Sequence, residues 1–291
     1  MTIQKVPHNI LWLVAGDGSL VGVTYEREHE VVGWHVHQIG GSGLVESVCC
    51  IPAIDGKYDD LYLVVKRTIN SSTKRYVERL GRLPDPSTSS DLSSGYWVDA
   101  GIVLNNGTSM NTATVTGLSH LNTATVQAVV DGIYVGTKIP SSGSITLAYL
   151  ATKVHVGFGY ECVVGILDPE GGSQAGTSQG KKKRVNEVVA RVENSMHFKT
   201  ASPTGRTNAY MTLSAVDDPT ALDRRLIIPV PVINAPGTGI RPTSETVRLE
   251  TGDITFAIEG SYDDGGRFEI VQDEPYPINL VSLMPKLNTN E

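Results

Sequence analysis

The chain has 291 residues and a formal net charge of −7 at pH 7. An acidic balance excludes a general nucleic-acid binder, which presents a basic excess. With 30 Gly, 15 Pro and three Cys, and no stretch longer than about two turns keeping an apolar helical period, a helical bundle and a disulfide framework are also excluded. What remains is an all-β chain rich in turns. No signal-peptide core follows Met1 and no run approaches the roughly 20 apolar residues of a spanning helix. The expectation is therefore no membrane insertion and synthesis in a reducing cytosol.

The first third predicts three consecutive antiparallel hairpins. Leu11–Ala15 and Leu20–Tyr25 flank Asp17-Gly18, a pair that readily takes the positive φ angles of a tight turn. Val31–Ile39 and Leu44–Ile51 flank Gly40, Gly41 and Gly43. Leu61–Thr68 and Arg75–Leu80 flank Asn70-Ser71-Ser72. Residues 1–82 thus predict a hairpin or meander domain that resembles part of a propeller sheet. The stretch from Arg82 to Gly95 is dominated by Pro, Ser and Asp and predicts a boundary.

Residues 96–169 carry short strands at close spacing, with Asp131-Gly132 as another two-residue turn. That pattern predicts a small β-sandwich or barrel; its last strand is expected at Glu161–Gly165. The Gly- and Ser-rich stretch from Glu170 to Gly180 reads as a linker. Residues 181–291 predict a C-terminal β-rich region with long loops. It includes a long strand at Arg184–Asn194, a polar extension at Asn194–Arg225 and a Pro-interrupted sheet edge at Leu226–Ile233. A hairpin is expected at Thr246–Glu250 and Ile254–Glu259 around Gly252-Asp253.

Few residues suggest chemistry. His35 and His37 share one face of a strand, a usable metal-ligand spacing, with Glu28, His29 and Cys50 nearby in sequence. The simpler expectation is a polar face, with Trp34 and Val36 pointing inward and no metal bound. Asp55-Gly56, Asp59-Asp60 and Asp263-Asp264-Gly265-Gly266 resemble calcium turns, yet none has the loop spacing with a terminal Glu, and tight turns favour these residues anyway. No nucleophile elbow is present and no carboxylate pair stands out, so no catalytic residue and no cofactor are assigned. Asn70-Ser71-Ser72 and Asn106-Gly107-Thr108 match the glycosylation sequon, which means little in a reducing cytosol. The basic run Lys181, Lys182, Lys183 and Arg184 suits a subunit contact better than a phosphate contact. Trp12, Trp34 and Trp97 read as core anchors, with an aromatic binding platform as the sharper alternative.

One resemblance organises these residues. Trp12, Asp17-Gly18, Val21-Gly22-Val23-Thr24-Tyr25, Glu30-Val31-Val32-Gly33-Trp34-His35-Val36-His37, Arg67-Thr68-Ile69-Asn70 and Arg75-Tyr76-Val77-Glu78 occur in that order. The series resembles the tail tubular protein B, or tail nozzle, family of short-tailed bacteriophages and prophages. The likeness continues more weakly through Gly117–Leu121, Gly143–Leu147, Lys153–Gly157 and Gly180–Val185 to Gln272-Asp273-Glu274-Pro275-Tyr276-Pro277. It is thin between Ser195 and Thr251. The family carries a long β-rich region ahead of the Trp12 motif, so the resemblance is to a C-terminal or shortened form.

The resemblance implies a structural virion protein of the phage tail, part of a nozzle through which DNA is ejected. It would sit in a sixfold ring of its own copies, beside adaptor and fibre or spike proteins, with DNA only as passing cargo. It marks Trp12, Tyr25, Trp34, Arg67, Arg75, Tyr76 and Glu78 as fold or interface anchors. The alternative is a β-sandwich that binds host-surface glycans, which would show exposed Trp and Tyr clustered on one face. A tail depolymerase comes third and would need two carboxylates at glycosidase spacing.

Overall fold

The computed structural model describes residues 1–82, 95–105, 112–170, 180–196, 198–204, 209–211, 249–258 and 265–289. Within them the chain is nearly all β, with 20 strands in antiparallel sheets and two three-residue 3-10 turns. None of the sheets closes into a barrel among the described residues. The chain divides into two compact units, one ending at Tyr160 and the next starting at Glu161.

The first unit opens with a sheet whose strands follow chain order: β1 (Thr2–Gln4), β2 (Ile10–Val14), β3 (Leu20–Glu26) and β4 (Val31–His37). A second sheet holds β5 (Leu44–Pro52), β6 (Asp59–Ile69) and β7 (Ser72–Arg79). The two share a core of Trp12, Leu20, Val45, Leu61, Leu63 and Val65. The β6–β7 turn uses Asn70 and Ser71 at φ 50° and 58°, the double positive-φ geometry that matches strand twist.

The middle hairpin expected around Gly40 to Gly43 does not form. β4 pairs only with β3, and β5 pairs with β6. The glycines instead carry the chain from one sheet to the other, with a single bridge between Ile39 and Gly43. Their role is close packing. A Cβ on Gly41 (φ +65°) would meet the Phe158 ring at 2.6 Å, and one on Gly43 would meet the Arg67 guanidinium at 2.7 Å.

The rest of this unit is a small sandwich. β8 (Asp99–Asn105), β10 (Val126–Val130), β11 (Ile133–Lys138) and β13 (Lys153–Phe158) form a sheet in the order β11-β10-β13-β8. β9 (Thr112–Thr116) pairs with β12 (Ser144–Ala151). Val115 and Ile145 from the pair meet Val126, Val154 and Val156 from the larger sheet in one core. The Asp131 carboxylate accepts hydrogen bonds from the backbone N–H of Thr152 (3.1 Å) and Lys153 (2.8 Å), which ties the β10–β11 turn to the β12–β13 corner.

The second unit holds β14 (Cys162–Gly165), β15 (Lys183–Ser195), β16 (Lys199–Thr204), β17 (Ala209–Met211), β18 (Glu250–Ala257), β19 (Glu269–Gln272) and β20 (Leu280–Thr289). Its sheets run β18-β15-β20 and β14-β19-β16-β17 around Val188, Ala190, Phe198, Phe268 and Ile270. A register shift between Val185 and Glu187 changes the parity of β15, so that Val185 and Val188 both face inward.

Three expectations are corrected in this unit. The strand near Glu161–Gly165 does not close the preceding module: β14 pairs with β19, a partner more than a hundred residues away. And Gly252-Asp253 is not a turn. β18 runs straight through it, with Val192 opposite Gly252 and Arg191 opposite Asp253. The long ladder to β15 outweighs the local turn preference, and Arg191 and Asp253 face each other across it as an exposed ion pair at 2.7 and 2.8 Å. The polar extension expected at Asn194–Arg225 is also corrected where it is described, since Lys199–Thr204 and Ala209–Met211 form β16 and β17. Its remainder from residue 212, the edge at Leu226–Ile233, most of the two linkers and the sequon at Asn106 lie outside the described residues.

Candidate functional site

The densest polar constellation gathers where the two sandwiches of the first unit meet. Arg67 points inward from β6 and is 1% exposed. Its Nε and Nη2 donate to the two carboxylate oxygens of Glu78 on β7, at 2.8 and 2.9 Å. Its Nη1 donates to the carbonyl oxygen of Gly40. The guanidinium lies 5.3 Å from the centre of the Phe158 ring, within cation–π range. Asp99 completes the junction by accepting the Gly40 N–H at 2.7 Å. Burial pushes the Asp99 carboxyl up, while that hydrogen bond and the Arg67 charge pull it down. The Tyr96 hydroxyl is also raised, chiefly by burial and then by Asp99.

Arg67 and Glu78 are thus brought together as one buried fork, as bidentate guanidinium–carboxylate geometry requires. Arg75 and Tyr76 are not part of it. Arg75 pairs with Glu46 on the exposed surface at 2.6 and 3.1 Å. Tyr76 approaches the His120 ring at 6.2 Å. Gly40, Asp99 and Phe158 belong to the junction but carry no mark of it in the sequence, apart from the glycine run.

Trp12, Tyr25 and Trp34 lie on the β1–β4 sheet but on opposite faces. Trp12 is buried against the second sheet, its indole N–H donating to Gln4 Oε1 at 3.0 Å. Trp34 and Val36 do not point inward as expected: Trp34 is 69% exposed, and Val36 is exposed too. The reason is strand parity. His35 and His37 take the inner side of β4, stacking near Trp12 with ring centres 5.7 and 5.2 Å away. A row of facing residues, Ile3, Leu11, Val23 and Trp34, then crosses the outer face of all four strands. Tyr25 stands opposite Val32 in the next row, diagonal to Trp34. A depression of about 610 Å³ opens there, lined by the apolar Ile3, Leu11 and Val23 with Tyr25 and, on the side of the β3–β4 connection, by the charged Glu26, Arg27 and Glu28.

His35 Nδ1 and His37 Nε2 share a hydrogen bond of 2.7 Å, and His35 Nε2 lies 3.2 Å from Thr24 Oγ1. Burial lowers both imidazoles. It takes His37 to about 4, with His35 as a second cause. Among the described residues no group of three His, Cys, Asp or Glu side chains is arranged to hold a metal ion. Two of the acidic turns are committed to protein partners, and Asp263 and Asp264 lie outside the described residues. Asp59 accepts the backbone N–H of Lys5 and Val6, while Asp55 and Asp60 bind Arg82. The three cysteines are free.

The basic run does not present a single surface. Lys183 is buried and donates to the Pro169 carbonyl at 3.1 Å, Lys182 is exposed, and Lys181 and Arg184 are half-buried.

No protein-family model matches the chain, and no curated protein matches it either. The site is therefore interpreted from its own chemistry: a buried ionic lock, an apolar sheet face and a neutral histidine pair. The first is suited to rigidity and the second to contact.

Proposed function

We propose that the chain is a structural virion protein of a phage tail, a component of the nozzle that forms part of the DNA ejection conduit. In this reading it assembles with its own copies and with neighbouring adaptor and fibre or spike proteins, and works mechanically. The observation that carries the proposal is the Arg67–Glu78 fork. These two residues come from the separate halves of the family-like motif, meet across the β6–β7 hairpin as one buried lock, and tie that sheet to the crossover from β4 through the Gly40 carbonyl. A stiff, multiply locked β body suits a part that transmits load and keeps its shape while a polyanion passes. The net charge of −7 suits a wall that does not hold DNA.

A second reading has one specific observation in its favour. Tyr25 and Trp34 are exposed as diagonal neighbours on one sheet face, the arrangement a glycan platform needs. Mass spectrometry of purified particles released by the encoding host separates a virion part from a free protein. Recovery of the chain in stoichiometric amount with other tail proteins supports the first reading, and its absence from intact particles rejects both. For a chain found in particles, a glycan array probed with wild type and Trp34→Ala then distinguishes the platform from the plain structural part.

A further inference from the structure

The β1–β4 sheet turns apolar residues outward as well as toward the core. An antiparallel sheet with one wet face alternates apolar and polar residues along each strand. β2 (ILWLV) and β3 (LVGVTYE) break that rule, and β4 (VVGWHVH) alternates with Val32, Trp34 and Val36 turned outward and His35 and His37 turned inward. The inner face is accounted for by the core around Trp12 and Leu20. The outer face leaves Ile3 54%, Tyr25 53%, Val32 59%, Trp34 69% and Val36 65% exposed.

We propose that this face is a homodimer interface: its occupant is the same face of a second copy, in a contact centred on β4 with Trp34 near the twofold axis.

Three observations select that occupant. The first is composition. The row Ile3, Leu11, Val23, Trp34 and the β4 residues beside it carry no charge, and homodimer interfaces are markedly apolar, whereas transient contacts are no more apolar than ordinary surface. A face of this kind needs cover from the moment of folding, when the chain's own copies are the partner at hand, and twofold pairing is the commonest solution.

The second is area. A fully exposed aromatic offers about 150–250 Å². Together with the aliphatic residues the face leaves on the order of 500 Å² uncovered, the size of the largest patch on an ordinary monomer. Two such faces together remove about 1,000 Å², the lower bound for a specific interface.

The third is the edge. β1 is stapled at its side of the sheet, where Cys50 N–H donates to Thr2 Oγ1 at 3.2 Å and Asp59 holds Lys5 and Val6. β4 has no strand partner but β3 among the described residues, and Val31–His37 holds neither the Pro nor the Lys that protects a free edge.

The inference does not rest on the tail reading, because the dimer forms from the isolated chain. The experiment is sedimentation velocity over a concentration series of the full chain. It compares wild type with Trp34→Lys, Val36→Lys and, as a control on another exposed face, Val77→Lys. Far-UV circular dichroism confirms that each variant is folded; all three positions are exposed. The expected result is a dimer of micromolar or tighter affinity, weakened at least about tenfold by each β4 substitution and unchanged by Val77→Lys. A wild-type monomer at the highest soluble concentration overturns the proposal, as does a dimer indifferent to both β4 substitutions. A monomer whose tryptophan emission shifts on adding a saccharide or a detergent also overturns it, and makes the face a ligand platform.

Discussion

Arg67 and Arg75 sit on the two strands of one hairpin and carry opposite energetic weight. Both make two-point contacts with a carboxylate. Arg67 does so with its side chain wholly buried and Glu78 nearly so, whereas Arg75 and Glu46 are open to solvent. Removing one partner of a buried pair strands the other and costs about 3–5 kcal/mol. An exposed pair is screened by water and salt. Arg67→Met is therefore expected to lower unfolding stability in urea by about 3 kcal/mol or more, while Arg75→Ala stays within error of wild type. Equal losses in the two variants would contradict the junction described here.

The histidine pair makes a second prediction at this scale. His37 titrates near 4 in the folded chain, because burial and His35 disfavour its charge, against about 6.5 in an unfolded one. Between those values the unfolded state binds more protons. The stabilising contribution is thus complete above about pH 6.5 and is lost as pH falls toward 4. Urea midpoints measured across that window should decline for wild type and decline less for His37→Gln. A parallel slope in the variant would mean that other groups set the acid response.

Among the elements, the glycines show what could be read from sequence and what could not. Asp131-Gly132 and Asn70-Ser71 were legible as tight turns because a two-residue loop between apolar runs demands positive φ, and both pairs have it. The Gly40–Gly43 run has the same local signature, yet serves a crossover. What decides its role is the Phe158 ring, more than a hundred residues away, and no local pattern encodes that contact. The same limit hid the β14–β19 pairing and the straight course of β18 through Gly252. On β4 the period-2 pattern was legible, but its phase was not. Both parities are apolar or aromatic, so the choice between Trp34 and His35 as the inward residue falls to the Trp12 stack. The Arg67–Glu78 fork could be suspected from the motif order, but not its third partner, the Gly40 carbonyl.

Substitution separates the two kinds of glycine. Gly41→Ala forces a Cβ into the Phe158 ring at a left-handed φ and is expected to cost about 1–3 kcal/mol. Gly33→Thr meets nothing within 4 Å and replaces a poor strand residue by a good one, so the melting temperature should hold or rise. A larger loss at Gly33 than at Gly41 would reverse the assignment of crossover and open strand.

At the scale of the whole molecule, charge bears on the conduit reading. The net charge is −7, and the one basic run is broken by the burial of Lys183. Each phosphate neutralised on DNA adds a salt-sensitive hold, which a conduit wall must avoid. The chain is expected not to bind duplex DNA measurably by fluorescence anisotropy at physiological salt, and Lys181→Glu/Lys182→Glu should leave that result unchanged. Micromolar binding that the double variant abolishes would make the run a DNA contact and turn a passive wall into a clamp.

The central claim is that this is a part built for assembly, and co-assembly tests it most directly. If the tail-nozzle reading holds, native mass spectrometry of the folded chain, mixed with tail adaptor and fibre proteins from the same genome, should reveal complexes holding several copies of the chain and at least one of those proteins. If the chain stays folded and those proteins are competent to assemble, yet no such complex forms, the tail-nozzle account is wrong.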